Sequence, residues 1–219
     1  MAVICERFDD LGLEDPDREY RLGIMGGTFD PIHMGHLACA EQARVAFALD
    51  AVIFIPTGMQ PFKQGKEVTD ANMRLEMCEL ACATNPFFDV SDIEIERGGL
   101  TYTVDTLRQL HDHYPSNVSL YFIPGADAVL SIVKWRDSAA IADLAHLIAV
   151  TRPGYEMTDE AKAELDAANF DVSYLETTAL SISSSMMREW VREGKSIRYL
   201  TSLAVHDYIH AKGLYLGRE

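Results

Sequence analysis

Beyond residue 20, short apolar runs alternate with stretches whose apolar residues recur at helical spacing. Residues 21–25 read as a brief strand, and 36–49 follows as a helix with Leu37, Ala40, Ala43 and Phe47 on one face. The run AVIFI over 51–55 is uninterrupted and closed by Pro56, as expected of a strand covered on both faces and lying parallel to the first. The rhythm continues with a helix over 71–83, an extended stretch over 88–95, a helix over 104–113 and a strand over 118–123. A strand over 144–150, a helix over 159–168, a short extended run over 170–175 and helices over 184–193 and 202–211 complete the reading. Strands separated by helix-sized segments imply an α/β fold: a single, mostly parallel, doubly wound sheet with helices on both faces. No internal repeat or long Pro/Gly linker divides the chain, so 21–219 is expected to form one domain. Residues 1–20 carry seven acidic side chains against two arginines and read as an acidic, solvated, flexible leader.

The apolar fraction of 48% over 219 residues supports a globular core rather than a disordered chain. The formal net charge of −15 opposes any sequence-independent grip on nucleic acid, while a local basic pocket for a small anion remains allowed. The leader has no basic start followed by an apolar segment, and no later run approaches the roughly 20 apolar residues of a membrane span. A cytoplasmic protein without membrane partners is the expectation. Cys5, Cys39, Cys78 and Cys82 show no metal-site spacing and read as reduced core thiols.

The densest chemistry lies at the first strand-to-helix junction: Gly26-Gly27-Thr28-Phe29-Asp30-Pro31-Ile32-His33-Met34-Gly35-His36. In a doubly wound sheet this junction faces the carboxyl edge, where ligands bind. Glycines at 26, 27 and 35 let a nucleotide approach the backbone, and the free N–H groups of the helix start favour phosphate. His33 and His36 stand three apart, so both imidazoles can serve one charged group. Ser184 and Ser185, with Arg188 one turn on, offer hydroxyls and a guanidinium fork to phosphate oxygens.

The segment GGTFDPIHMGH resembles the signature of the nucleotidyltransferase superfamily whose core is written H/T-x-G-H, and within it the bacterial nicotinate-nucleotide adenylyltransferase family. The likeness continues in order through Ile55-Pro56-Thr57-Gly58 to Pro61-Phe62-Lys63, Thr101-Tyr102-Thr103-Val104-Asp105-Thr106-Leu107, Pro124-Gly125-Ala126-Asp127, Lys134-Trp135, Thr151-Arg152-Pro153-Gly154-Tyr155 and Ile182-Ser183-Ser184-Ser185-Met186-Met187-Arg188. It spans about residues 20 to 215. Position 185 is Ser where the family more often has Thr, and Arg136 stands where relatives often carry an aromatic residue.

The resemblance implies a Rossmann-like nucleotidyltransferase fold and adenylyl transfer from ATP to nicotinate mononucleotide, giving deamido-NAD and pyrophosphate in NAD biosynthesis. It assigns His33, His36, Arg188 and Lys63 to the reacting phosphates. Gly26, Gly27, Thr28, Phe29, Gly35, Gly125, Asp127, Arg152, Ser184 and Ser185 would hold ATP. Thr101, Tyr102, Thr103, Trp135 and Arg136 would hold the pyridine nucleotide, with Trp135 stacked on its ring. Mg²⁺ is expected through ATP phosphates, with no dedicated protein ligands. A homo-oligomer is left open. Pantetheine-phosphate adenylyltransferase chemistry is the nearest rival, and a non-catalytic adenine-nucleotide sensor is another. No G-x-G-x-x-G occurs, and Gly194-Lys195-Ser196 lacks the earlier glycine of a P-loop because position 189 is Glu.

Overall fold

In the computed structural model, which describes residues 4–13, 15–59, 68–151, 154, 157–178 and 180–216 apart from the side chains of 126 and 127, the apolar runs become six strands. These are β1 (Tyr20–Gly27), β2 (Ala51–Pro56), β3 (Phe88–Val90), β4 (Val118–Phe122), β5 (His146–Thr151) and β6 (Val172–Glu176). They form one sheet in the order β3-β2-β1-β4-β5-β6, parallel throughout. The order reverses between β1 and β4, which opens a crevice outside their carboxyl ends.

Helices α1 (Glu6–Asp9), α2 (Met34–Ala46), α3 (Ala71–Cys82), α4 (Ile93–Arg97), α5 (Thr103–His113), α6 (Ala126–Val129), α7 (Ser138–Leu144), α8 (Asp159–Ala167), α9 (Ser184–Arg192) and α10 (Leu203–Ala211) cover the sheet. Strand alternation assigns the two faces. Leu22, Ile24, Ile53 and Ile55 share one core with Val104, Leu107 and Leu110 of α5 and Ile141 of α7. Met25, Val52 and Phe54 share the other with Ala40 and Ala43 of α2, Met77 and Cys78 of α3, and Met187 and Val191 of α9. Every residue of β2 is buried, as its unbroken apolar run predicts. Gly23 matters to this packing: a Cβ there would stand 2.8 Å from a Leu49 methyl.

Three expectations change. The extended stretch over 88–95 divides into β3 and α4, because after Val90 the chain leaves the sheet and buries Ile93 and Glu94 from a helical turn. Leu144 ends α7, an element the sequence reading passes over, and the strand begins at His146. In place of a solvated leader, Ile4, Cys5 and Phe8 enter the core, Phe8 meeting the Tyr114 ring edge-on at 5.4 Å. The Arg7 amide donates to Asp89, and the Asn117 side chain donates to the carbonyls of Leu13, Asp15 and Arg18. The charges of this segment sit at its rim, while its few apolar residues decide its position.

Candidate active site

β1 leaves the sheet at Gly27, and the next six residues turn sharply to open α2. Phe29 takes a left-handed conformation (φ 50°), and the Asp30–Pro31 peptide is cis. This loop is braced from beneath by Arg74, only 2% exposed, whose guanidinium donates to the carbonyls of Thr28 (2.7 Å), Thr57 (2.8 Å) and Thr69 (2.9 Å). Buried Asp30 accepts from the Tyr215 hydroxyl at 2.7 Å and from the Thr69 amide at 3.4 Å. The buried Thr201 hydroxyl donates to the Ile32 carbonyl at 2.9 Å.

His33 stands at the N-cap of α2 in extended conformation, and His36 lies one turn in. Their rings stack at 3.6 Å with an interplanar angle of 18°, and Phe29 meets His36 edge-on at 5.1 Å. The His33 amide donates to His36 Nδ1 at 3.2 Å, so the neutral His36 ring carries its proton on Nε2. Burial pushes His33 down to about 4, and burial together with His33 pushes His36 down to about 3, so both rings are neutral at pH 7. His33 Nδ1 is buried with no hydrogen-bond partner among the described residues. Gly35 also gives His33 its place: the His33 Nδ1 lies 3.0 Å from where a Cβ at Gly35 would stand.

A cavity of about 620 Å³ opens above this pair, lined by Gly26, Gly27, Phe29, His33, Gly35, His36, Gly125, Ser184 and Ser185 among the expected residues. The serines divide their work differently from the sequence reading. Ser183 caps α9 by accepting from the Met186 amide, Ser184 donates to the Pro31 carbonyl at 2.8 Å, and Ser185 accepts from Arg188 at 3.3 Å. Arg188 also donates to the Asp30 carbonyl at 2.7 Å, which ties α9 to the glycine loop beside the cavity wall. Cys39 packs against the core on the α2 side and also lines this cavity, and burial pushes its thiol up to about 12.

A second, smaller cavity of about 200 Å³ is lined by Thr101, Tyr102, Thr103, Trp135 and Arg136, again as a group expected together. Trp135 packs against Phe122 at 6.3 Å and donates its Nε1–H to Ser131. Arg136 lies over the Tyr102 ring at 4.5 Å and pairs with Asp105 at 3.4 Å, its side chain 57% exposed. Gly26 lines both cavities. Having no side chain, it leaves the sheet edge between them open.

Lys63 and Arg152 lie outside the described residues; Asp127 falls in α6, directly after Gly125. Thr28 contributes its carbonyl to Arg74 and is not part of the larger cavity's lining. Sequence reasoning missed Arg74 and Glu94, and it quoted Thr57 and Thr106 without giving them a role. Glu94 lines the smaller cavity, accepts the Thr106 hydroxyl at 2.7 Å, and burial pushes its carboxyl up to about 7. An arginine and a glutamate inside helices read as solvated charges, and only their placement after the second strand and before the Thr101–Thr103 segment hinted otherwise. Among the described residues no group of three or more His, Cys, Asp or Glu side chains could hold a metal ion. No helix among them is long and apolar enough to cross a membrane.

Residues 24–190 match the cytidylyltransferase-like family model. A probable nicotinate-nucleotide adenylyltransferase of Desulfitobacterium hafniense is 49% identical over 89% of this chain and 95% of its own length. Its counterpart in Moorella thermoacetica is 47% identical over 92% of this chain and 94% of its own. The fold is similar to that of the Plasmodium falciparum nicotinic acid mononucleotide adenylyltransferase complexed with NaAD, with a TM-score of 0.74 at 20% identity over 90% of this chain and 98% of that one.

Proposed function

The chain belongs to the cytidylyltransferase-like family and to its nicotinate-nucleotide adenylyltransferase branch, and from that premise we propose that it joins ATP to nicotinate mononucleotide, giving deamido-NAD and pyrophosphate. The observation that carries this reading is Gly26, which lines a large cavity holding the histidine pair and a small one holding Trp135 and the Thr101–Thr103 segment. Two substrates seated in these cavities meet over a residue with no side chain.

An oxygen of the acceptor 5′-phosphate attacks the α-phosphorus of ATP in line. The new P–O bond forms as the bond to the bridging β-phosphate oxygen breaks, and the electron pair leaves with pyrophosphate. No covalent enzyme intermediate is needed, so the protein supplies positioning and charge stabilisation. Neutral His36 offers its Nε2–H to oxygens that gain charge, and His33 holds the ring in place by stacking and can donate alongside it. The open amides of α2, with Gly27, Phe29 and Gly35, receive phosphate, while Thr28 shapes the loop through its carbonyl. Ser184, Ser185 and Arg188 flank the departing pyrophosphate; by resemblance to the family Lys63 would assist there and Arg152 would contact the nucleotide. Gly125 lines the cavity on the nucleoside side, and by resemblance to the family Asp127 would serve the same portion of ATP.

The divalent ion is Mg²⁺ and arrives on ATP as part of the substrate. Phosphate oxygens and water supply its ligands. Trp135 stacks on the pyridine ring, backbone amides of Thr101–Thr103 receive its carboxylate, and Arg136 strengthens the preference for acid over amide. The cytoplasm, where ATP is made available, is the setting of this reaction.

A pyrophosphate-release assay tests the reading. Release with ATP plus nicotinate mononucleotide, faster than with the nicotinamide form, is expected. Release only with phosphopantetheine, or tight ATP binding without turnover on any acceptor, overturns it.

A further inference from the structure

Three residues lining the smaller cavity each carry a buried side-chain oxygen with no hydrogen-bond partner among the described residues: Thr57 Oγ1, Glu94 Oε2 and Thr101 Oγ1. Their residues are 9%, 5% and 7% exposed. Buried polar atoms left without partners are costly, and three lining one cavity point to a polar ligand group that satisfies them together.

In its ionised form the carboxyl is built to accept. Arg97 donates to the Thr106 hydroxyl at 2.8 Å, and that hydroxyl donates to Glu94 Oε1 at 2.7 Å, which fixes the group, while the nearby Gly58 backbone favours its charged form. The two threonine hydroxyls beside it can each donate or accept. Close approach is secured by Gly58, where a Cβ would stand 2.8 Å from the Glu94 carbonyl oxygen and 3.1 Å from Thr101 Oγ1. A vicinal diol matches this set: two O–H donors to one fixed carboxylate oxygen and two adaptable hydroxyls.

Position within the cavity agrees. Pro56 pairs with Gly27, and the Thr57 amide donates to the Gly27 carbonyl at 2.8 Å, so Thr57 lies one residue from the edge shared with the larger cavity. Trp135 lies on the β4 flank, against Phe122. A mononucleotide with its ring on Trp135 and its phosphate over Gly26 brings its sugar to the β2 flank.

We propose that Glu94, with Thr57 and Thr101, binds the ribose hydroxyls of the acceptor mononucleotide and so determines which sugar this cavity accepts. The inference rests on reading the smaller cavity as the acceptor site. Its test compares nicotinate mononucleotide with its 2′-deoxy and 3′-deoxy forms in wild type, Glu94→Gln and Thr57→Val. Gln keeps the volume and the Thr106 bond but places an NH₂ donor where the free acceptor oxygen stands.

Wild type should lose roughly tenfold or more in kcat/KM on at least one deoxy form, the scale of a hydrogen bond to a charged group. Glu94→Gln should raise KM for the natural acceptor by a similar factor, with kcat and the KM for ATP little changed, and should suffer little further loss on the deoxy form. A purely structural role for Glu94 would leave the deoxy penalty intact in the variant, and that result overturns the inference. So does a wild type indifferent to both deoxy forms. If Glu94→Gln does not fold, Thr57→Val must show the same loss of discrimination or the inference falls. Absence of turnover with every pyridine mononucleotide would instead sink the proposed function, and this inference with it.

Discussion

Gly35→Ala separates catalytic geometry from stability, because the two should move in opposite directions. Gly35 is the second residue of α2, where alanine is the better helix former by up to about 1 kcal/mol, less in a first turn. The added methyl would stand 3.0 Å from His33 Nδ1 and 3.1 Å from its Cε1. A comfortable contact is about 3.5 Å, so the ring must shift by about 0.5 Å. It cannot shift freely, since one of its faces already stacks on His36 at 3.6 Å. Misplacing a reacting group by about 1 Å can cost on the order of a hundredfold, so roughly tenfold in kcat is expected for half that. The assay is pyrophosphate release at saturating substrates, paired with denaturant unfolding. An unfolding midpoint at or above wild type with kcat down about tenfold is the expected pair. Unchanged kcat would mean that the stack has no part in turnover and would refute the reasoning.

His36→Ala should keep the fold and lose about 2.7–4 kcal/mol of transition-state stabilisation, seen as a fall of two to three orders of magnitude in kcat. Near-normal turnover would remove His36 from the reaction. Arg136→Ala should lower the acid-over-amide ratio of kcat/KM only several-fold, because this side chain is 57% exposed and already paired with Asp105. An unchanged ratio would end its role in selection. The histidines also give a pH signature. Their folded values, about 4 and about 3, lie below the ordinary 6.5, so the unfolded chain takes up protons first as pH falls. Their contribution to stability is complete above pH 6.5 and is lost as pH drops toward 4 and 3. The unfolding free-energy difference between wild type and His36→Gln should therefore shrink across that window, and His33 and His36 ring resonances should stay still from pH 8 to 5.5. Titration near 6.5 in the free protein would contradict the burial argument.

Most of the sheet was legible because its strands are buried on both faces: AVIFI is rich in β-branched residues, unbroken and closed by proline, and the glycine-rich signature follows the first strand directly. What escaped depends on contacts far apart in the chain. Counting charges in the first twenty residues concealed Cys5 and Phe8, whose partners include Tyr114. Ile93 and Ile95 alternate as in a strand, yet β3 lies at the sheet's edge and ends at Val90. Three consecutive serines at 183–185 are equivalent to a sequence reader; the helix axis makes the first a cap and turns the second toward Pro31. Arg74 and Glu94 are the deepest misses, since partners such as Thr28 and Thr57 for the one and Thr106 for the other lie in separate elements or loops and leave no local pattern.

One guanidinium, that of Arg74, holds carbonyls that follow three different elements or loops: Thr28 after β1, Thr57 after β2, and Thr69 before α3. The Thr28 segment beside the larger cavity and the Thr57 segment of the smaller one therefore share a single anchor, and opening one removes a bond that the other needs. Amide hydrogen exchange along these segments should report one cooperative unit with a common opening free energy, so that loosening the floor of one chamber is felt at once in its neighbour.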